Sequence, residues 1–261
     1  MPEMFGTHHS KMMVLFRHDD TAQVIIHTAN MIAKDWTNMT NAVWKSPLLP
    51  LAPKAADESQ DTLDRSRLGS GERFKADLLS YLRFYDRRKP TCRPLVDQLR
   101  KYDFSAVRAA LIASVPGRHD VNDVSQASWG WSALKQTLRT VPCADGEADV
   151  VVQISSIATL GAKDEWLQKT LLDSLSKSSN TDAKRPRYKV VFPTADEIRR
   201  SLDGYAAGGS IHTRIQSQQQ AKQLQYLRPM LYHWANDCPS GRGKYSKPSG
   251  HASGEVHAKL M

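Results

Sequence analysis

A chain of 261 residues, 40% of them hydrophobic, is long enough for one large or two small domains around a sizeable core. Its formal net charge of +9 favours a polyanionic partner, nucleic acid before membrane. Three widely spaced cysteines, Cys92, Cys143 and Cys238, fit neither a disulfide framework nor a zinc cluster and suit a reducing compartment; no apolar run approaches the ~18 residues that span a bilayer, and the first residues hold no hydrophobic signal core.

Residues 9–16 read as a strand. His9, Lys11, Met13 and Leu15 share one face and Met12, Val14 and Phe16 the other. Both faces are largely apolar, which predicts a central strand covered on both sides. Residues 17–20 form a polar turn, and residues 23–29 a hairpin partner with Asn30 just past its end. Residues 46–72 hold Pro47, Pro50, Pro53, Gly69 and Gly71 and read as a long loop. An amphipathic helix over 74–85 and a shorter one over 95–102 follow.

Residues 107–114 have strand character and are closed by Pro116-Gly117, which places a boundary between a first half, 1–116, and a second, 117–261. The second half predicts a helix over 131–138, a strand over 149–157, a helix over 164–175, a Ser/Lys/Asn linker over 176–187 and a strand over 188–192. Thr194 with Glu197 makes a capping box, and Gly204 ends that helix. Gly208-Gly209-Ser210 predicts a tight loop, and residues 216–234 a long helix interrupted by Pro229. Residues 237–254 are rich in Gly, Ser, Pro and Lys and are expected to be mobile; residues 256–261 read as a last strand. The fold class is therefore α/β, with mixed β-sheets covered by helices.

One short phrase occurs in both halves: His9-Ser10-Lys11 and His257-Ala258-Lys259. In a strand, side chains two residues apart share a face, so each phrase sets an imidazole beside an ammonium. A single His-x-Lys strand is ordinary surface or core. Two, one in each half of a basic chain, predict pseudo-symmetric halves with a site at their interface. Two histidines and two lysines around one anion suit cutting a phosphodiester: one His attacks, the other handles the proton, and the lysines hold phosphate oxygens.

The surrounding text is more specific. It runs Phe5-Gly6-Thr7-His8-His9-Ser10-Lys11-Met12-Met13, then Val24-Ile25-Ile26-His27-Thr28-Ala29-Asn30, Asp35-Trp36 and Val43-Trp44-Lys45-Ser46-Pro47-Leu48. It continues at Phe74-Lys75-Ala76-Asp77-Leu78-Leu79, Gln153-Ile154-Ser155-Ser156-Ile157, Leu160-Gly161, Phe192-Pro193-Thr194 and Ser201-Leu202-Asp203-Gly204-Tyr205-Ala206-Ala207-Gly208-Gly209-Ser210. This resembles the tyrosyl-DNA phosphodiesterases, a branch of the phospholipase D superfamily, over most of the chain.

The resemblance implies two phospholipase D-like halves and a DNA-repair hydrolase that cleaves 3′-phosphotyrosyl bonds through a phosphohistidine. By resemblance His9 is the nucleophile, Lys11 and Asn30 bind phosphate, His257 is the general acid and then base, and Lys259 is the second phosphate clamp. Phe5 matches an aromatic that stacks a DNA base; Ser155, Ser156, Thr159 and Ser210 match contacts to the DNA backbone. His8 and His27 read as structural. Asn41 stands where the family has a Gln supporting the acid/base histidine, and its side chain is shorter. No metal or other cofactor is expected, since the lysines supply the cationic charge. The expected partner is single-stranded or frayed DNA carrying a 3′ tyrosyl-peptide adduct from a trapped topoisomerase, with no membrane. A monomer in the nucleus is expected, where Lys184-Arg185-Pro186-Arg187 could serve as an address.

Two departures set the alternatives. The family has strands ahead of the first motif, and a second Asn and a His-orienting carboxylate beyond the second. The chain thus reads as a fragment truncated at both ends. The alternative is a catalytically incomplete fragment that only binds single-stranded DNA. Another phospholipase D-type activity, on lipid or RNA, is the third reading; Asn30 and Gly208-Gly209-Ser210 argue against lipid.

Overall fold

Alternation along residues 11–27 builds the first layer. In the computed structural model, which describes residues 8–53, 67–86, 90–125, 129–143, 146–180, 184–213 and 217–233, β1 (Lys11–Phe16) pairs antiparallel with β2 (Thr21–His27). The register runs from Lys11↔His27 to Phe16↔Ala22. Asp19 closes the turn: its carboxylate accepts from the Thr21 amide and hydroxyl and from the Arg17 guanidinium. The Arg17 hydrogen bond holds that carboxyl well below the usual range. A short helix α1 (Ala33–Thr37) follows, then β3 (Val43–Lys45) and β4 (Leu49–Pro50), which pair with opposite ends of β2.

Met12, Val14, Ala22, Val24, Ile26 and Trp44 all lie on one face of this sheet and pack into a single core. Its other wall is α2 (Gly71–Tyr85), with Phe74, Leu78, Tyr81 and Leu82 buried, and α3 (Arg93–Leu99). Ser70 caps α2, its hydroxyl accepting from the Arg73 amide. Phe74 lies between Trp44 and Phe104, with ring centroids 5.0 and 6.3 Å away. A Cβ on Gly71 would fall 1.8 Å from the Phe104 carbonyl oxygen, so glycine alone permits this approach of helix and loop.

Two expectations for this half are corrected. Among the described residues β1 pairs only with β2, at the edge of the sheet, and Leu15 on its second face is 43% exposed. The apolar pattern of that face does not mean it is covered. Residues 107–114 form no strand. Their side chains alternate as a strand's do: Val107 and Val115 are buried, and Ala109, Leu111 and Ala113 pack on the core. The period is met by packing alone, with no ladder partner among the described residues.

In the second half, α4 (Gly130–Leu138) precedes β5 (Asp149–Gln153) and β6 (Ser156–Ile157). A π-helical stretch, Leu167–Leu172, runs into the α-helical turn Asp173–Leu175; together these are α5. β7 (Arg187–Val191) then pairs parallel with β5. Parallel neighbours need a crossover, and α5 supplies it. Helix α6 (Ala195–Arg200) begins with the complete Thr194–Glu197 capping box. The predicted loop 208–210 is instead the end of a 3₁₀ segment, Gly204–Ser210, which starts at a positive φ (55°) on Gly204. β8 (His212–Thr213) pairs parallel with β6.

The expected long helix over 216–234 is shorter. α7 (Gln218–Leu227) stops before Pro229, whose ring and missing N–H cannot continue it. The chain passes through the 3₁₀ turn Arg228–Met230 into β9 (Leu231–Tyr232), which joins β7 to complete the sheet β5-β7-β9. Leu167, Leu171, Leu172 and Leu227 form the buried cluster of this half. Residues 237–254 and 256–261, expected to be mobile and a strand, lie outside the described residues.

Phe74→Ala leaves a cavity in the middle of the first core and should destabilise the protein by ~3–5 kcal/mol. Urea unfolding followed by circular dichroism checks this, with Thr194→Ala at ~1 kcal/mol as the capping comparison.

Candidate active site

The residues around His9 are ordered by which face of the chain they occupy. His8 and Ser10 turn toward α2. Tyr81 donates its hydroxyl to Ser10 Oγ at 2.9 Å, and the Tyr85 hydroxyl meets both Tyr81 (2.8 Å) and His8 Nδ1 (2.9 Å). Burial, reinforced by the Tyr81 contact, pushes the Tyr85 phenol above its ordinary value, so it stays a neutral donor. Because neighbours alternate, His9 and Lys11 project from the opposite face. Lys11 Nζ lies 2.9 Å from His9 Nδ1 and 2.8 Å from the His9 carbonyl oxygen. The predicted imidazole–ammonium pair is therefore formed.

An ammonium only donates, so Nδ1 of His9 accepts and a neutral ring carries its proton on Nε2.

His27 lies directly across β1 from Lys11, only 5% exposed, its ring 5.7 Å from that of Trp36. Its Nδ1 has no hydrogen-bond partner among the described residues.

Asn30 sits one turn past β2 and is held by a residue to which the sequence assigned no role. Asp35, 4% exposed, accepts through one oxygen from the Asn30 amide nitrogen and from Asn30 Nδ2, each at 2.6 Å. Trp36 Nε1 donates to the Asn30 carbonyl at 2.8 Å. Asn41 Nδ2 donates to the Asp35 carbonyl (2.6 Å), and its Oδ1 accepts from Thr28 Oγ1 (2.9 Å). The Asn41 amide is thus engaged at the α1 turn, on both its nitrogen and its oxygen. Asp35 fixes which end of the Asn30 amide is nitrogen and leaves its second N–H to aim elsewhere. A carboxylate at position 30 would have no hydrogen to give Asp35. The only legible signal for this role was the Asp35-Trp36 phrase five residues on.

Among the described residues, two side-chain hydrogen bonds join this turn to residues 203–206. Lys34 Nζ donates to the Ala206 carbonyl (3.0 Å), and Asn38 Nδ2 to Asp203 Oδ1 (2.8 Å). The Gly204–Ser210 segment is thereby brought beside α1, with Ser210 at its end. Ser155 precedes β6, Ser156 lies within it, and the turn after it is tied down by α7. Gln220 Nε2 donates to Thr159 Oγ1 (3.1 Å), Gln223 spans the Leu160 amide and the Ala158 carbonyl, and Tyr226 donates to the Gly161 carbonyl. Phe5, His257 and Lys259 lie outside the described residues. Among those described, no group of three or more His, Cys, Asp or Glu side chains could hold a metal ion, and no helix is long and apolar enough to cross a membrane.

Asn30→Asp should destabilise the chain at neutral pH by ~1–3 kcal/mol, because two carboxylates meet where a donor met an acceptor. Proton uptake by the facing pair should shrink that loss as the pH is lowered. Urea titrations of parent and variant at pH 7 and pH 4 measure it; a loss independent of pH would contradict the Asp35 geometry.

Comparison with known proteins identifies the family. The family model for tyrosyl-DNA phosphodiesterase matches residues 1–260. A probable tyrosyl-DNA phosphodiesterase of Schizosaccharomyces pombe is 31% identical over 86% of this chain and 49% of its own length. Tyrosyl-DNA phosphodiesterase 1 of Drosophila melanogaster is 36% identical over 81% of this chain and 36% of its own. The crystal structure of yeast tyrosyl-DNA phosphodiesterase superposes with a TM-score of 0.66 at 17% identity, over 98% of this chain and 58% of that one. The chain thus spans half or less of the length of these curated relatives. The family-model match over residues 1–260 shows that the chain belongs to the tyrosyl-DNA phosphodiesterase family.

Proposed function

We propose that this chain carries the chemistry of a DNA-repair phosphodiesterase that hydrolyses 3′-phosphotyrosyl bonds between DNA and a trapped topoisomerase peptide. The observation that carries it is His9 and Lys11 side by side on one face, with the Asn30 amide oriented by Asp35 at the end of the paired strand. His9 attacks phosphorus, the bond to the tyrosine oxygen breaks, and His257 protonates that oxygen. His257 then takes a proton from water, which cleaves the phosphohistidine and leaves a 3′-phosphate. Splitting one displacement into two, with a general acid–base contributing ~10²–10⁴-fold, accounts for the use of two histidines. Lys11 and Lys259 neutralise the charge spread over the phosphoryl oxygens, and the Asn30 amide donates a hydrogen bond to it.

In this reading residues 1–116 and 117–261 are two halves with the site at their interface, and the chain acts as a monomer in the nucleus. Phe5 stacks a base of single-stranded or frayed DNA, while Ser155, Ser156, Thr159 and Ser210 hold its backbone. The α1 contacts to Ala206 and Asp203 support a site that draws on both halves.

The test is a labelled single-stranded oligonucleotide bearing a 3′-phosphotyrosine, incubated with this chain and with His9→Ala. Release of a 3′-phosphate end by the parent, reduced at least ~10³-fold in the variant, is expected for loss of a nucleophile. A native-gel shift without cleavage would instead support the chain as a single-stranded DNA binder.

A further inference from the structure

A charged concavity is lined by none of the site residues above. It is a cleft of 980 Å³ between α4, α5 and the segment leading into β7, and none of its lining comes from β1, β2 or α1. Its cations are Lys135, Arg139, Lys169, Lys177 and Arg185, and its one carboxylate is Asp173. Five positive groups against one negative leave a formal excess of four.

The carboxylate is already engaged. Asp173 Oδ2 pairs with Lys135 Nζ and Oδ1 with Lys177 Nζ, both at 2.7 Å. Burial works to raise the Asp173 carboxyl, but the two lysines hold it below its ordinary value, so it stays charged. Lys135 is 5% exposed and also donates to Asn122 Oδ1 at 3.1 Å, a cation fixed in the cleft wall. Arg185 is held differently: it donates to Gln168 Oε1 at 2.8 Å and lies over the Tyr188 ring. Arg139 and Lys169 are exposed and have no ion-pair partner among the described residues. A concave wall lined mostly by one sign of charge focuses the field outward.

The lining contains no aromatic residue. No aromatic ring there can stack a base, while guanidinium, ammonium, amide and hydroxyl groups suit phosphate oxygens. A cleft of this size takes more than one phosphate. We propose that it is a second nucleic-acid contact, binding successive backbone phosphates of a DNA strand without regard to sequence. The choice of nucleic acid rests on the proposed function; the anion-binding chemistry does not.

The experiment measures anisotropy of a labelled single-stranded oligonucleotide with a plain 3′-hydroxyl, across a salt series. The proteins are the parent chain, Arg139→Gln/Lys169→Gln, and the equal-charge control Arg100→Gln/Lys101→Gln on the other half. Loss of two phosphate contacts should lower the log–log salt slope by about 1.4 and weaken binding roughly tenfold near physiological salt. The control pair should leave the slope near the parent's. Matching thermal melts show that the variants fold. A change no larger in the cleft pair than in the control overturns the proposal. So does a cleft that takes inorganic pyrophosphate, by calorimetry, while oligonucleotide binding is indifferent to both substitutions. Because the oligonucleotide carries no adduct, the result is independent of turnover. Failed cleavage with cleft-dependent binding sinks only the proposed reaction; cleavage with cleft-independent binding sinks only this inference.

Discussion

The antiparallel register between β1 and β2 is the constraint on which the rest of the first half depends. It sets Met12, Val14, Val24 and Ile26 against α2 and leaves His9 and Lys11 on the other side. Side chains alternate with a period of two, so a slip of one residue would push the ammonium into the core and Met12 and Val14 into water. Burial of that apolar row therefore fixes the chemistry-bearing row without touching it. The α2 tyrosines strengthen the same choice at the strand's start by holding His8 and Ser10, the two residues that flank His9.

The second element of the site follows from hydrogen-bond accounting. A buried carboxylate without donors is costly, and Asp35 finds two on one residue, Asn30. Asn41 and Trp36 tie the same turn to its surroundings, so position and amide orientation are fixed before any ligand arrives. The preference for an amide over an acid at position 30 thus has a local cause.

Much of this was legible in the sequence. The alternation over 9–16 and 23–29, the amphipathic stripe of α2 and the capping box at Thr194 each rest on a period or a local hydrogen bond, which a sequence displays directly. The misreadings share another origin. Residues 107–114 carry the side-chain alternation of a strand, but a strand also needs a backbone partner, which periodicity does not reveal. The apolar second face of β1 raised the same difficulty, since composition cannot say whether a cover is present. Past Pro229 the apolar pair Leu231-Tyr232 continued a helical pattern and was claimed by β7 instead. Asp35 was missed as a site residue because its role depends on a turn that folds it back over Asn30, and no spacing rule announces that.

The indole of Trp36 gives the Asn30 turn a built-in optical label. It is more than half exposed, anchored through its N–H to the Asn30 carbonyl and set against the His27 ring. Anything that occupies the space over Asn30 changes the water around that ring, and anything that loosens the turn frees its N–H. Its emission can thus follow occupancy of the turn in an unmodified chain, with Trp36→Phe identifying its share of the signal.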